Sequence, residues 1–108
     1  MTDAGVAPFK LTRAAAERRI RELADNDNNI IWGEHALERM AERDIEDVVV
    51  LRVLRRGFVD SEPELTEYNE WQCKVTLRVR GSRVAGVVTI ILHSGRLFVR
   101  TVEWEDPK

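Results

Sequence analysis

Cysteine occurs once in this chain, at Cys73, so no intrachain disulfide can form and a stapled secreted scaffold is not what the sequence builds. Histidine occurs twice, at His35 and His93, and these two with one cysteine at such separations do not make a metal site. No cofactor is expected. No apolar run approaches the roughly 20 residues that a membrane-crossing helix needs. A glycine-rich phosphate loop and a nucleophile elbow are both missing, which sets aside nucleotide hydrolysis by a P-loop and serine-hydrolase chemistry. The opening stretch, Met1 to Pro8, is small and weakly polar, without the basic and then apolar order of a signal peptide. The expected location is therefore the cytoplasm, with no membrane partner. Repeats and low-complexity tracts are missing too.

What is present is ordinary globular material. With 44% hydrophobic and 33% charged residues over 108 positions, the chain can bury one core of its own. We read residues 1–10 as a flexible arm and 11–106 as a single α+β domain, N-terminal helices packed on a C-terminal antiparallel sheet. Thr12 can cap a helix through Ala24 whose stripe is Ala16, Ile20, Leu23 and Ala24. The run Asp25 to Asn29 ends it, since these side chains compete for backbone hydrogen bonds. Ile30 to Trp32 is a short extended piece. A second helix covers about Glu34 to Glu42, with Ala36, Leu37, Met40 and Ala41 on one face. Ile45 to Arg56 is valine-rich but bounded as a helix: Asp44 as N-cap, acids at the start, arginines at the end and Gly57 as the stop.

Beyond Gly57 the period becomes two. Phe58 to Ser61 reads as a short strand, followed by an acidic loop holding Pro63. Trp71, Cys73, Val75, Leu77 and Val79 alternate with polar residues in a half-buried strand, which makes Cys73 a buried, unreactive thiol. Gly81-Ser82 forms a two-residue hairpin turn, and Val84, Gly86, Val88, Ile90 and Leu92 are the inward set of the next strand. Ser94-Gly95 turns the chain into a last strand from Arg96 to Trp104. If Arg80 lies opposite Arg83 and His93 opposite Arg96, then Lys74, Thr89 and Arg100 form one row on the face away from the helices. Gln72, Ile91 and Phe98 form the row beside it, and Arg78 lies with Ala85 and Trp104 towards the other end.

Charge is segregated along this half. Asp60, Glu62, Glu64, Glu67 and Glu70 come with no base among them, and then Trp71 to Val102 holds six bases and no acid. The net charge of −2 and pI near 5.7 exclude a protein that coats nucleic acid by bulk electrostatics, so any attraction for anions is local to the sheet. Two readings of that face stay open: a platform for phosphates and bases, or a solvated strand surface of the usual kind.

The run His35-Ala36-Leu37-Glu38-Arg39-Met40-Ala41-Glu42-Arg43-Asp44-Ile45, continuing to Val53-Leu54-Arg55-Arg56-Gly57 and closing with Phe98-Val99-Arg100-Thr101-Val102, resembles a widespread family of bacterial domains of unknown function. The order of elements, and the pair Trp71-Gln72 opening the long strand, is also similar to MqsR within the RelE toxin superfamily. That resemblance implies a metal-independent endoribonuclease that cleaves messenger RNA, on ribosomes or free, and that pairs with an antitoxin protein. It carries Gln72 over as an active-surface residue and leaves the lysine roles to Lys74 or Arg100. The tyrosine role has no matching position, because the corresponding strand is small there (Ala85 or Gly86) and the single tyrosine, Tyr68, sits in the acidic loop.

Such cleavage needs a base for the 2′-hydroxyl, an acid for the departing 5′-oxygen and cations for the phosphorane. The candidate catalytic set is His35, Gln72, Lys74 and Arg100, with Arg39, Arg78 and Thr89 as RNA and phosphate contacts. His35 has a second reading, as a local residue of its helix start with Arg39 paired to a nearby acid. Trp32 and Trp71 are expected in core or rim positions and His93 as a polar turn residue. The rival to the enzyme is a non-catalytic binding module that engages RNA or an acidic partner protein through the same basic face.

Overall fold

The computed structural model describes residues 9–105. Three helices precede most of the sheet: α1 (Arg13–Ala24), α2 (Glu34–Arg43) and α3 (Asp47–Arg56). Thr12 caps α1 by accepting from the Ala15 N–H, and the Asn29 side chain donates to the Leu23 carbonyl at the other end. The third helix begins two residues later than its valine pattern suggests. Glu46 takes the N-cap position, and Asp44 is instead the left-handed C-cap of α2, with φ 56° and ψ 49°. Aspartate tolerates that conformation, which turns the chain sharply and lets Ile45 reach the core. Gly57 does end α3, though not through left-handed backbone. A Cβ there would lie 2.5 Å from the Val53 carbonyl and 2.7 Å from that of Thr76, so glycine lets α3 touch the sheet.

The strands are β1 (Ile30–Trp32), β2 (Phe58–Val59), β3 (Glu64–Leu65), β4 (Trp71–Arg80), β5 (Arg83–Ile91) and β6 (Leu97–Trp104). They form one sheet in the order β1-β6-β5-β4-β2, with β3 also on β4. The three long strands follow chain order as antiparallel neighbours. The sheet as a whole is mixed, because β1 adds to the β6 edge in parallel. A three-residue segment followed at once by a helix gives no period from which that pairing can be read.

One face of the sheet is covered. Ala16 and Ile20 from α1, Ala36 and Met40 from α2, and Val50, Val53 and Leu54 from α3 pack on Cys73, Val75, Ala85, Val87, Val99 and Val102. Burial and hydrocarbon surroundings push the Cys73 thiol up to about 11, so it stays protonated at neutral pH.

The other face carries a register correction. The turn at Gly81-Ser82 does pair Arg80 with Arg83, but the register shifts between Arg78 and Arg80, and Arg78 faces Val84. One extra residue, Val79, exchanges the two faces of β5. Ala85, Val87 and Thr89 therefore point to the helices, and Val84, Gly86, Val88 and Ile90 point away. Thr89 is fully buried, its hydroxyl donating to the Phe98 carbonyl, so it cannot touch RNA as a surface contact. A second irregularity, between Val88 and Thr89, leaves Arg100 as the extra residue of β6. Lys74 pairs with Val88 and Thr89 with Val99, and the expected row Lys74, Thr89, Arg100 does not exist.

Candidate functional site

Arg100 is the residue that gains from its bulge. An unpaired position in β6 frees its side chain to cross Ile90, and its guanidinium Nη1 donates to Gln72 Oε1 in a close hydrogen bond. Gln72, Ile90 and Arg100 thus form the floor of a cleft of about 460 Å³ on the uncovered face. The acidic loop supplies the walls. Thr66 accepts from the backbone N–H groups of Tyr68 and Glu70, curling the loop into a tight turn at Asn69, whose φ is 61°.

His93 holds that turn against the sheet. Its backbone N–H donates to the Glu70 carboxylate at 2.9 Å, and its ring Nε2 lies 3.2 Å from the Tyr68 carbonyl. The residue expected to be only a polar turn side chain is the latch of the loop. The result brings Tyr68, 71% exposed, to line the same cleft as Gln72 and Arg100. The signal was in the pairing: carrying the β4–β5 register past Trp71 sets the loop's last residues beside the next hairpin tip.

Lys74 is one step along β4 and lines an adjoining depression that shares Gln72 and Glu64 with the cleft. It is not a free cation. Its Nζ meets the Glu105 carboxylate at 2.5 Å, both side chains less than one-third exposed. The hydrogen bond to that carboxylate holds the Lys74 ammonium above its ordinary range, with Asp60 and Glu103 adding in the same direction and burial opposing. Gly86 makes room for the clasp, since a Cβ there would stand 2.4 Å from Glu105 Oε2. Of the bases of the last strands, Lys74 is thus answered by an acid from outside them.

The remaining candidates lie apart. Arg78 is exposed at the far end of β4, without a side-chain partner among the described residues. His35 and Arg39 are on α2, and neither lines the cleft. Arg39 donates through Nε to His35 Nε2 at 3.3 Å and pairs with Glu42 at 2.7 Å. The hydrogen bond from Arg39, with the Arg43 charge beside it, holds the Glu42 carboxyl below its ordinary range. These contacts fit the local reading of His35. Trp32 packs at the core rim, as expected, and Trp104 donates to the Arg43 carbonyl.

Chemically, the cleft offers a planar guanidinium for phosphate or carboxylate, an amide beside it, a phenol, and the carboxylates of Glu64, Glu67 and Glu70. No group of three or more His, Cys, Asp or Glu side chains among the described residues is arranged to hold a metal ion. No helix among them is long and apolar enough to cross a membrane. No curated protein and no solved structure matches the chain. A family model does match, over residues 32–104, which spans α2, α3, the cleft and the whole of the long strands. The chain belongs to that family, described as a domain of unknown function, DUF4258.

Proposed function

We propose that the chain is a small endoribonuclease of the RelE and MqsR kind, the toxin of a toxin–antitoxin pair, cutting messenger RNA without a metal. The supporting observation is the Arg100–Gln72 hydrogen bond on the floor of the uncovered cleft. In this reading Arg100 binds the scissile phosphate and stabilises the phosphorane, and Gln72 fixes the guanidinium plane. A carboxylate of the loop, Glu64 or Glu67, takes the proton of the 2′-hydroxyl as its oxygen attacks phosphorus. The P–O5′ bond then breaks, the 5′-oxygen takes a proton from the Tyr68 hydroxyl, and a 2′,3′-cyclic phosphate remains. Lys74 contributes once Glu105 lets go of it. His35 has no part in this version of the site.

The test is incubation of the purified chain with a dye-labelled RNA in EDTA, with and without ribosomes. Cleavage to a cyclic phosphate end, lowered at least about a hundredfold by Arg100→Ala, supports the reading. A wild-type chain that neither cuts RNA nor arrests bacterial growth contradicts it.

A second reading keeps the surface and drops the chemistry. Three carboxylates against one guanidinium give the cleft a net negative wall, and no imidazole reaches it. The want of an imidazole favours a non-catalytic module that engages RNA or an acidic protein partner through Arg100 on this face, with the carboxylates limiting its affinity. In that case Arg100→Ala weakens binding, and wild-type RNA stays intact.

A further inference from the structure

On the helical side of the sheet, α1 leaves a groove that the cleft chemistry does not use. Trp71 and Ile91 are Cα partners at the end of the β4–β5 ladder, and they point to the covered face. Against them lie Leu11, just before α1, and Ala15 in its first turn, enclosing about 360 Å³ that is mostly apolar. Phe9, 76% exposed, stands at its mouth. The rim is basic. Arg18 and Arg19 line the groove, and neither makes a side-chain hydrogen bond or ion pair among the described residues.

Charge along α1 sharpens the point. A helix N-terminus carries partial positive charge and ordinarily attracts acids, yet the first turn of α1 contains no acid and begins with Arg13. Of the two acids of this helix, Glu17 is committed to Arg21 and to the Val59 N–H, which leaves Glu22 alone beside Arg18 and Arg19. On the next hairpin, the guanidinium of Arg19 reaches to within 4.0 Å of the Cβ position at Gly95, next to Arg96. An apolar slot is thus bordered by two cations, Arg18 and Arg19, that no acid among the described residues pairs with.

We infer that this groove docks an acidic segment of a partner protein, with one aromatic or large aliphatic side chain seated against Trp71 and Ile91 and carboxylates meeting Arg18 and Arg19. A buried apolar anchor would supply most of the affinity and the flanking charges the selectivity and rate of encounter. The site lies on the side of the sheet opposite Arg100 and does not depend on the ribonuclease reading.

The probe is a displayed library of random peptides of about twelve residues, selected on the immobilised full chain and then titrated one at a time by fluorescence anisotropy. The expected peptides are rich in Asp and Glu around one Trp, Phe or Leu. Their affinity should fall at least about tenfold with the double charge reversal Arg18→Glu, Arg19→Glu, fall with added salt, and be unchanged by Arg100→Ala. The milder pair Arg18→Gln, Arg19→Gln should lie between, with circular dichroism confirming that both variants stay folded. Selection of no binders, of basic or uncharged ones, or of acidic ones indifferent to the arginine changes overturns the inference. So does displacement of the peptides by a short single-stranded RNA that binds the groove more tightly than they do.

Discussion

The two faces of this sheet are built on opposite rules. The covered face is largely aliphatic and packed under three helices, save at the groove beside Trp71 and Ile91. The other face is open, polar and organised by single contacts: Arg100 on Gln72, Glu105 on Lys74, His93 on the acidic loop. Packing secures the first face many times over, so any one contact there is one of dozens. On the second each contact decides by itself whether a group is free for a ligand. Position along β5 is what assigns a residue to one face or the other, and a single bulge at Val79 sets it.

The sharpest way to break that comparison is Thr89→Lys. On an outward position the change would be nearly silent. With Thr89 buried it forces an ammonium into the core and should cost at least about 3 kcal/mol or prevent folding, as urea denaturation would register. A matched pair comes next. Leu54→Ala, on the fully buried side of α3, should lose about 2–5 kcal/mol, whereas Ile90→Ala on the open face should lose less than about 1 kcal/mol. Equal losses would mean the open face is packed as tightly as the core.

How far the sequence spoke differs between the faces for the same reason. The helix cap at Thr12, the stop at Gly57 and the alternation of Cys73 with Val75 follow from local rules that repeat along an element. The bulges at Val79 and Arg100 repeat nothing. They come from fitting a strand of one length against another, and moving one residue exchanges every side chain behind it. Arg100 was legible as a candidate from residue type and strand, Gln72 only through the resemblance carried by the Trp71-Gln72 pair, and the structure brings the two together. Lys74 was legible as a cation and not as a clasped one, because its partner Glu105 arrives from beyond the last strand. Tyr68 looked stranded in a loop because the latch at His93 joins residues 25 apart in the chain.

Alkaline pH gives a smaller effect that again distinguishes the faces. Cys73 on the covered side and Lys74 on the open side both hold their protons more tightly folded than unfolded. Stability tied to each is present below the unfolded value, 9.0 for the thiol and 10.5 for the amine, and is lost as pH rises through the folded one. The melting temperature should therefore fall between about pH 9 and 11, with the Cys73 part on the order of 2 kcal/mol and absent in Cys73→Val. A flat profile in the parent chain would contradict the burial of that thiol.

The smallest change in stability should accompany a change in the site. Glu105→Gln removes the partner of Lys74 and should alter stability by less than about 1 kcal/mol while returning the ammonium towards its ordinary range, as nitrogen-15 NMR of the lysine would follow. Gly86→Ala should do the same by displacing the Glu105 side chain. If Lys74 serves phosphate, both variants should bind RNA more tightly than the parent.

The central proposal is that RNA meets the protein on the open face, at Arg100 and Gln72. Its most direct measurement is a backbone NMR titration of the chain with an uncleavable 2′-deoxy oligonucleotide at low salt. The account predicts that amide shifts concentrate at Gln72, Ile90, Arg100 and the Thr66–Glu70 turn, and disappear in Arg100→Ala. Shifts confined to α1 and α2, or none at saturating oligonucleotide, would contradict it.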